Sequence, residues 1–498
     1  MPKLCISAAS GSGGKTLLSL GLGRYFSNCG LVVQPFKKGP DYIDAAWLSA
    51  ACKTPCSNLD PFFQNPAGLV ETFQAAISKS IGRGKNALVI VEGNRGLYDG
   101  LDETGSCSTA ALARILEMPI LLCLNAAKST RTIAALAQGL LNFEKGLHFC
   151  GIILNNVGSS RHGQALEKAL ATNTGLPLLG MLPRLARTPL PERHMGLATR
   201  NAAIDDKNEQ IFEDLAKLVA ENCDTDRILE LCQTFCERGS SENEEDNTAS
   251  AHATGVTHEN TPHAKHSDFR GVSEKAGAAK QGRAPVIGYV RDAAFWFYYP
   301  ENLEALERAG VRLEELSLLG VDSQVGKWQN LDGLYLGGGF PEDYADQLSR
   351  SPLLPFIKHK AEQGLPIYAE CGGLALLCRT LRTNDGVYPM ANLFDIAISL
   401  HEKPQGLGYV EGEIIGPNPF FPIGHRLRGH EFHYTSCETD AELPRALLLN
   451  RGQGLAKNGR DALVYKNVWA SYIHIFAPSQ PCWAVNFAAI AETWQKRP

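Results

Sequence analysis

Through the first 235 positions, short runs of apolar and β-branched residues alternate with helix-like stretches. LCISAA, LVVQPF, ALVIVEG, PILLCLN and CGIILN each read as a buried strand. Stretches such as LLSLGLGRYF have a helical pattern, and strands separated by helices imply a parallel sheet covered on both faces. From about Cys236 the pattern stops: SSENEEDNTASAHATG and the residues that follow carry almost no apolar side chains. Such a stretch cannot bury enough surface to offset the entropy of ordering it, and 236–284 reads as a flexible, disordered linker. The strand-and-helix grammar then restarts with PVIGYV, ENLEALERAG, LDGLYLGGG and LPIYAECGG, and becomes β-rich from about Gly408 to Ile475. Two α/β domains are expected, 1–235 and 285–498.

Composition narrows the class without naming a reaction. The chain has 498 residues, 44% of them hydrophobic and 20% charged, with a formal charge of −5, so it has no bulk affinity for nucleic acid. An anionic ligand would need a local cluster of Lys, Arg or backbone amides. No apolar run approaches the roughly 20 residues that span a bilayer, and Met1–Ser7 is too little for a signal peptide. The fourteen cysteines are scattered, and Cys52 with Cys56 or Cys232 with Cys236 lack the partner pair of a zinc site. His252, His258, His263 and His266 are irregularly spaced in the linker and read as solvated residues. A cytoplasmic enzyme is expected; a homodimer is left open.

The first chemical pattern follows the first strand. SGSGGKT, Ser10 to Thr16, leads into a helix, and in that context a glycine-rich loop turns its N–H groups around phosphate oxygens. Gly11, Ser12, Gly13, Gly14, Lys15 and Thr16 form the candidate nucleotide cradle, with Lys15 on the terminal phosphates and Thr16 on Mg²⁺. Ala9 stands where the standard loop has glycine, which makes this a variant. Glu92 ends the strand ALVIVEG beside the expected ligand crevice and is a candidate metal carboxylate; Asp99 is a weaker one. PFKKGPDYID, Pro35 to Asp44, offers Lys37 or Lys38 for phosphate or substrate, Asp41 or Asp44 for the metal shell, and Tyr42 beside them.

The second pattern is LPIYAECGGLALL. Cys371 directly follows a buried strand and precedes Gly372 and Gly373, the setting of a nucleophile on a sharp strand-to-helix turn. The base that such a thiol needs is His474 in SYIH, with His425, His430 and His433 as competitors. Gly338 and Gly339 in LYLGGGFPE, with Gly372, are the candidate oxyanion donors.

In their order and spacing, GSGGKT, VQPFKKGPDYIDAAWL, VIVEGNRGLYDG, LPERHMGL, RDAAFWFYYPENLEAL, LYLGGGFPED, YAECGGL and SYIH resemble the cobyrinic acid a,c-diamide synthase family. The resemblance covers most of both domains. It implies an N-terminal domain similar to dethiobiotin synthetase and a C-terminal class I glutamine amidotransferase domain of the cobyric acid synthase type. It also implies the reaction. Cys371 with His474 would release ammonia from glutamine, and ATP with Mg²⁺ would activate acetate carboxylates of a tetrapyrrole for amidation, with Lys37, Lys38, Asp41 and Tyr42 near the substrate. Many class I amidotransferases place a glutamate two residues after the histidine; this chain has Phe476 there, so that partner is not expected. The same motifs also look like relatives that amidate sirohaem or sirohydrochlorin. Cobyric acid synthase shares both domains but usually lacks the loop Gly39 to Asp41. A partition-type P-loop ATPase would carry lysine at Ser10 and has no use for the Cys371 elbow.

Overall fold

The computed structural model describes residues 1–11, 13–81, 86–185, 206–249, 283–320, 325–438, 443–455 and 458–497, with backbone alone at 206–208, 238–249 and 325. Ser12, the segment 190–197 and the four linker histidines lie outside the described residues.

The first half is built on seven parallel strands: β1 (Lys3–Ala8), β2 (Val32–Lys38), β3 (Ser57–Leu59), β4 (Ala87–Glu92), β5 (Pro119–Asn125), β6 (His148–Val157) and β7 (Leu178–Pro183). Their order is β3-β2-β4-β1-β5-β6-β7. The strands read as continuous apolar runs because both faces are covered, and Leu4, Ile6, Val89, Ile90 and Leu121 are fully buried. Helix α1 (Lys15–Asn28) leaves the phosphate-type loop, and α2 (Tyr42–Cys52) follows β2. A later helix runs from Thr225 to Ala249, so helical backbone continues past position 236, where the polar linker was expected to start.

The second half carries a ten-stranded sheet. Arg312–Leu316, Val286–Val290, Gly333–Leu336, Ile367–Glu370 and Val468–Ser471 lie parallel in that order. Arg460–Tyr465, Arg445–Arg451, Gly406–Ile414, Arg426–His433 and His474–Ile475 extend it antiparallel. The β-rich tail seen in the sequence is this extension. Among the described residues no helix is long and apolar enough to cross a membrane.

The halves meet on one aromatic cluster: Tyr42, Phe62 and Phe63 from the first, Phe297, Tyr299, Phe340 and Phe476 from the second. Polar contacts rim it. Tyr409 donates to Asp60 at 2.5 Å, Arg428 donates to the Phe62 carbonyl at 3.3 Å, and Lys79 pairs with Glu304. The aromatic run Phe295–Tyr299 is therefore a packing surface.

Glu301, in the first turn of the helix Pro300–Arg308, is buried with one carboxylate oxygen unpartnered, and burial pushes its carboxyl up to about 7 from an ordinary 4.5. Below the lower value both folded and unfolded chains hold the proton, so stability carries no penalty. As pH rises from the lower value to the higher, the unfolded chain loses its proton while the folded one keeps it, and stability falls until the buried carboxyl also ionises. Glu301→Gln is expected to stabilise the protein by on the order of 2–3 kcal/mol near pH 8 and by almost nothing near pH 4. Urea unfolding at the two pH values checks this; an equal effect at both would contradict it.

Candidate active site

The loop between β1 and α1 leaves its helix start open. Gly14, the N-cap, has φ 98°, and no side chain caps the first turn, so backbone N–H groups there lack a side-chain acceptor. Glycine is required at this point, since a Cβ on Gly14 would collide with the Asn155 amide, which reaches the Gly13 carbonyl at 3.3 Å. Lys15 is only 4% exposed, and its ammonium donates to the Ser10 carbonyl at 2.9 Å and the Arg95 carbonyl at 2.6 Å. Burial, then the nearby Lys37 cation, lowers its pKa, so an incoming anion would be welcomed there.

Beside this loop, parallel pairing sets Lys37 on β2 opposite Glu92 on β4, and Glu92 opposite Ile6 on β1. Lys37 donates to Glu92 at 2.7 Å and to Asp44 at 2.5 Å, and Thr16 donates to Glu92 at 2.8 Å. Burial alone would lower Lys37, but Glu92 and Asp44 outweigh it and hold the lysine charged. Asp41 caps α2 by accepting from the Asp44 amide at 2.9 Å, and burial, with Asp44 close by, pushes its carboxyl up to about 6. The structure thus brings Lys15, Thr16, Lys37, Asp44 and Glu92 together. Successive side chains on a strand face opposite ways, and Lys38 lies on the other side, 3.9 Å from Asp60 and 3.2 Å from the Tyr409 hydroxyl at the seam between the halves. Asp99 accepts from the Gly96 amide at 2.8 Å within its own turn.

The thiol of Cys371 sits at φ 50°, ψ −102°, between the strand Ile367–Glu370 and the helix Gly372–Leu377. A non-glycine residue with positive φ marks strain of the kind concentrated at functional sites. The thiol donates to the Phe432 carbonyl at 3.7 Å, and burial, then the charge of Glu342, pushes its pKa well above the ordinary range. His474 is fully buried, and neither of its ring nitrogens has a hydrogen-bond partner. The glycine strand end bridges the two groups. A Cβ on Gly338 would collide with the His474 ring, and one on Gly372 would lie 3.3 Å from the Gly339 nitrogen.

Phe476 offers no carboxylate, but Glu370, immediately before the cysteine, lies 3.5 Å from His474 Nδ1 and accepts from the Ile475 amide at 3.1 Å. His430 stacks on His474, with 4.9 Å between ring centroids. His433, not His474, lines the cleft beside Cys371; its Nδ1 lies 2.7 Å from the Thr435 carbonyl and its Nε2 3.5 Å from Glu431. His425 lies elsewhere, 2.6 Å from the Gln480 side chain. Sequence reasoning missed Glu370, Glu431 and Glu342. An acid inside the buried run YAEC was the available signal for the first.

A CobQ/CobB/MinD/ParA nucleotide binding domain model matches residues 4–197, and a CobB/CobQ-like glutamine amidotransferase domain model matches 286–481. Cobyrinate a,c-diamide synthase of Magnetococcus marinus is 37% identical over 100% of this chain and 98% of its own length. The chain belongs to the cobyrinate a,c-diamide synthase family. The enzyme of that name from Syntrophotalea carbinolica is 35% identical (96% of each chain), and that from Salmonella typhimurium is 32% identical (96% of this chain, 95% of that one). Family membership joins a nucleotide-binding half to a glutamine amidotransferase half, as the two motif sets suggested.

Removing one member of a buried ion pair leaves the other uncompensated. Lys37→Ala, which strands Glu92, is expected to cost about 3–5 kcal/mol in urea unfolding, and adding Glu92→Gln to recover most of it. Equal stability of the single and double variants would show that the pair carries no such coupling.

Proposed function

We propose that this chain amidates the a and c acetate carboxylates of cobyrinic acid in cobalamin biosynthesis, with ATP as activator and glutamine as nitrogen donor. The observation that carries the reading is full-length similarity to synthases of that name in a chain that holds both an open phosphate-type loop and a strained cysteine elbow.

In the second half, Cys371 would attack the side-chain amide of glutamine, with His474 taking the thiol proton and passing it to the departing ammonia. Water then cleaves the thioester to glutamate. Glu370, 3.5 Å from Nδ1, would orient the imidazole when that nitrogen carries a proton. The amides of Gly338, Gly339 and Gly372 are the candidates to receive the oxyanion. In the first half, a carboxylate is a poor electrophile until its oxygen becomes a leaving group. The Gly11–Thr16 loop and Lys15 would hold the triphosphate while its terminal phosphoryl moves to the acetate oxygen, and ammonia would then displace phosphate.

The residues present fit a divalent cation. Glu92 Oε2 is buried without a partner, and Thr16 Oγ1 is close to the same carboxylate. Among the described residues no three His, Cys, Asp or Glu side chains form a closed metal cluster, so phosphate oxygens and water would complete the shell. Thr16 and Glu92 would hold Mg²⁺, with Asp41 or Asp44 beside them; bound there, the ion supplies charge neutralisation on the phosphates. Lys37 and Tyr42 would lie on the substrate side of this loop. The enzyme is taken to be cytoplasmic, as a biosynthetic protein acting on small soluble molecules.

Cys371→Ala is expected to lower glutamine-dependent synthesis by about a thousandfold or more while keeping synthesis from high ammonium. Retained glutamine use would overturn the role of Cys371. Lys15→Ala should lower amide synthesis by about a hundredfold or more and spare glutamine hydrolysis. Mass spectrometry of products from cobyrinic acid and from sirohaem, each with ATP and glutamine, separates the two ring systems. A diamide formed from sirohaem alone would replace cobyrinic acid as the substrate.

A further inference from the structure

The cleft at Cys371 is small and partly open, and is lined by Gly339, Glu342, Gly372, His433 and Thr435, among others. Glu342 is the one carboxylate in that lining. The other acids near the thiol are already engaged. Glu370 accepts from Tyr335 and from the Ile475 amide and faces His474. Glu431 accepts from the Gln453 and Gly454 amides at 2.6 and 3.0 Å and faces His433. Glu342 has no ion-pair partner among the described residues; its stabilising contact is its own backbone amide. A carboxylate set in a cleft without a counter-charge is costly unless a ligand brings one.

We propose that Glu342 receives the α-ammonium of glutamine in the cleft it shares with Cys371. The inference rests on reading Cys371 as the glutamine-cleaving thiol. Free glutamine carries a cationic α-amino group, whereas a glutamine within a peptide and most other primary amides do not, so an anion at the cleft selects the free amino acid. The same anion acts on the nucleophile. After burial, Glu342 is the largest cause holding the Cys371 thiol protonated, and of the nearby carboxylates its charge alone awaits a ligand. Pairing it with an ammonium removes that opposition, and the thiolate becomes accessible when a substrate amide is beside it. Burial also pushes the Glu342 carboxyl up to about 7, as expected of a group lacking its partner.

The test uses the full chain and compares hydrolysis of glutamine with that of Nα-acetylglutamine, which lacks the positive charge. Wild type should prefer glutamine. Glu342→Gln should raise KM for glutamine by about tenfold or more and lose most of that preference, while ammonium-dependent synthesis stays within about twofold. Without glutamine, peptide-mapped alkylation of Cys371 by iodoacetamide should run several-fold faster in Glu342→Gln. An unchanged preference in Glu342→Gln overturns the proposal; the role of Cys371 survives that result if Cys371→Ala still abolishes glutamine use, and fails separately if it does not. Should Glu342→Gln also lose ammonium-dependent synthesis, the preference is read in Glu342→Asp. There a reduced preference supports the assignment and an unchanged one overturns it.

Discussion

The ring of Tyr42 lies flat on Phe297, with 4.8 Å between centroids, and meets His474 edge-on at 5.3 Å. The relation between the two sites depends on this contact. Tyr42 is the first residue of α2, whose N-cap is Asp41 and whose first turn contains Asp44, the partner of Lys37. One turn of helix therefore links the charged cluster at the nucleotide loop to the imidazole of the other half. Offset and edge-to-face ring pairs tolerate little displacement before their area is lost. The aromatic seam sets the distance between the halves, while its rim, from Tyr409–Asp60 to Arg428–Phe62, fixes their orientation.

An aromatic seam also constrains which chemical species can cross it. His430, stacked on His474, is held well below its ordinary pKa by burial and then by the neighbouring imidazole, so His430 resists a positive charge. Ammonium would meet the same desolvation cost. For the proposed reaction this favours neutral ammonia, the form with a free lone pair, on the side that faces the activated carboxylate.

Much of this architecture was legible in the residue pattern because the strands of a covered parallel sheet are nearly continuous apolar runs. LCISAA, ALVIVEG and PILLCLN map onto β1, β4 and β5. The Cys371 elbow was legible for a related reason: a cysteine followed by two glycines at a strand end has few other structural uses. Lys37 and Lys38 stayed ambiguous as residue types, and strand alternation separates them onto opposite faces. Glu370 escaped notice because an orienting acid was sought after the histidine, whereas parallel pairing of Ile367–Glu370 with Val468–Ser471 brings the acid in from before the cysteine. Such a contact spans 104 positions of sequence and has no local pattern. Glu342 follows a glycine-rich turn and carries no pattern of its own in the sequence. The helix Thr225–Ala249 shows that a polar run can continue a helix begun by an amphipathic one, since Glu and Ala keep helical propensity without an apolar face.

The two sites share an electrostatic plan with opposite signs. At the phosphate-type loop, Lys37 is matched by Glu92 and Asp44, whereas Lys15 has only carbonyl oxygens as hydrogen-bond partners. At the thiol, Glu370 and Glu431 accept from amides of other residues and face imidazoles, whereas Glu342 has only its own backbone amide. Each site engages its other charges and leaves one without a counter-ion, of the sign opposite to the group its ligand would bring: phosphate to the lysine, ammonium to the glutamate. An unmatched buried charge destabilises the empty protein by a desolvation penalty, and binding relieves that penalty. Affinity then comes partly from removing a defect in the free state, and the matched neighbours keep the remaining charge from finding a partner within the protein. That condition explains why Lys37 is so firmly held: a free Lys37 would compete for the same phosphates, and a free Glu92 would compete for Lys15.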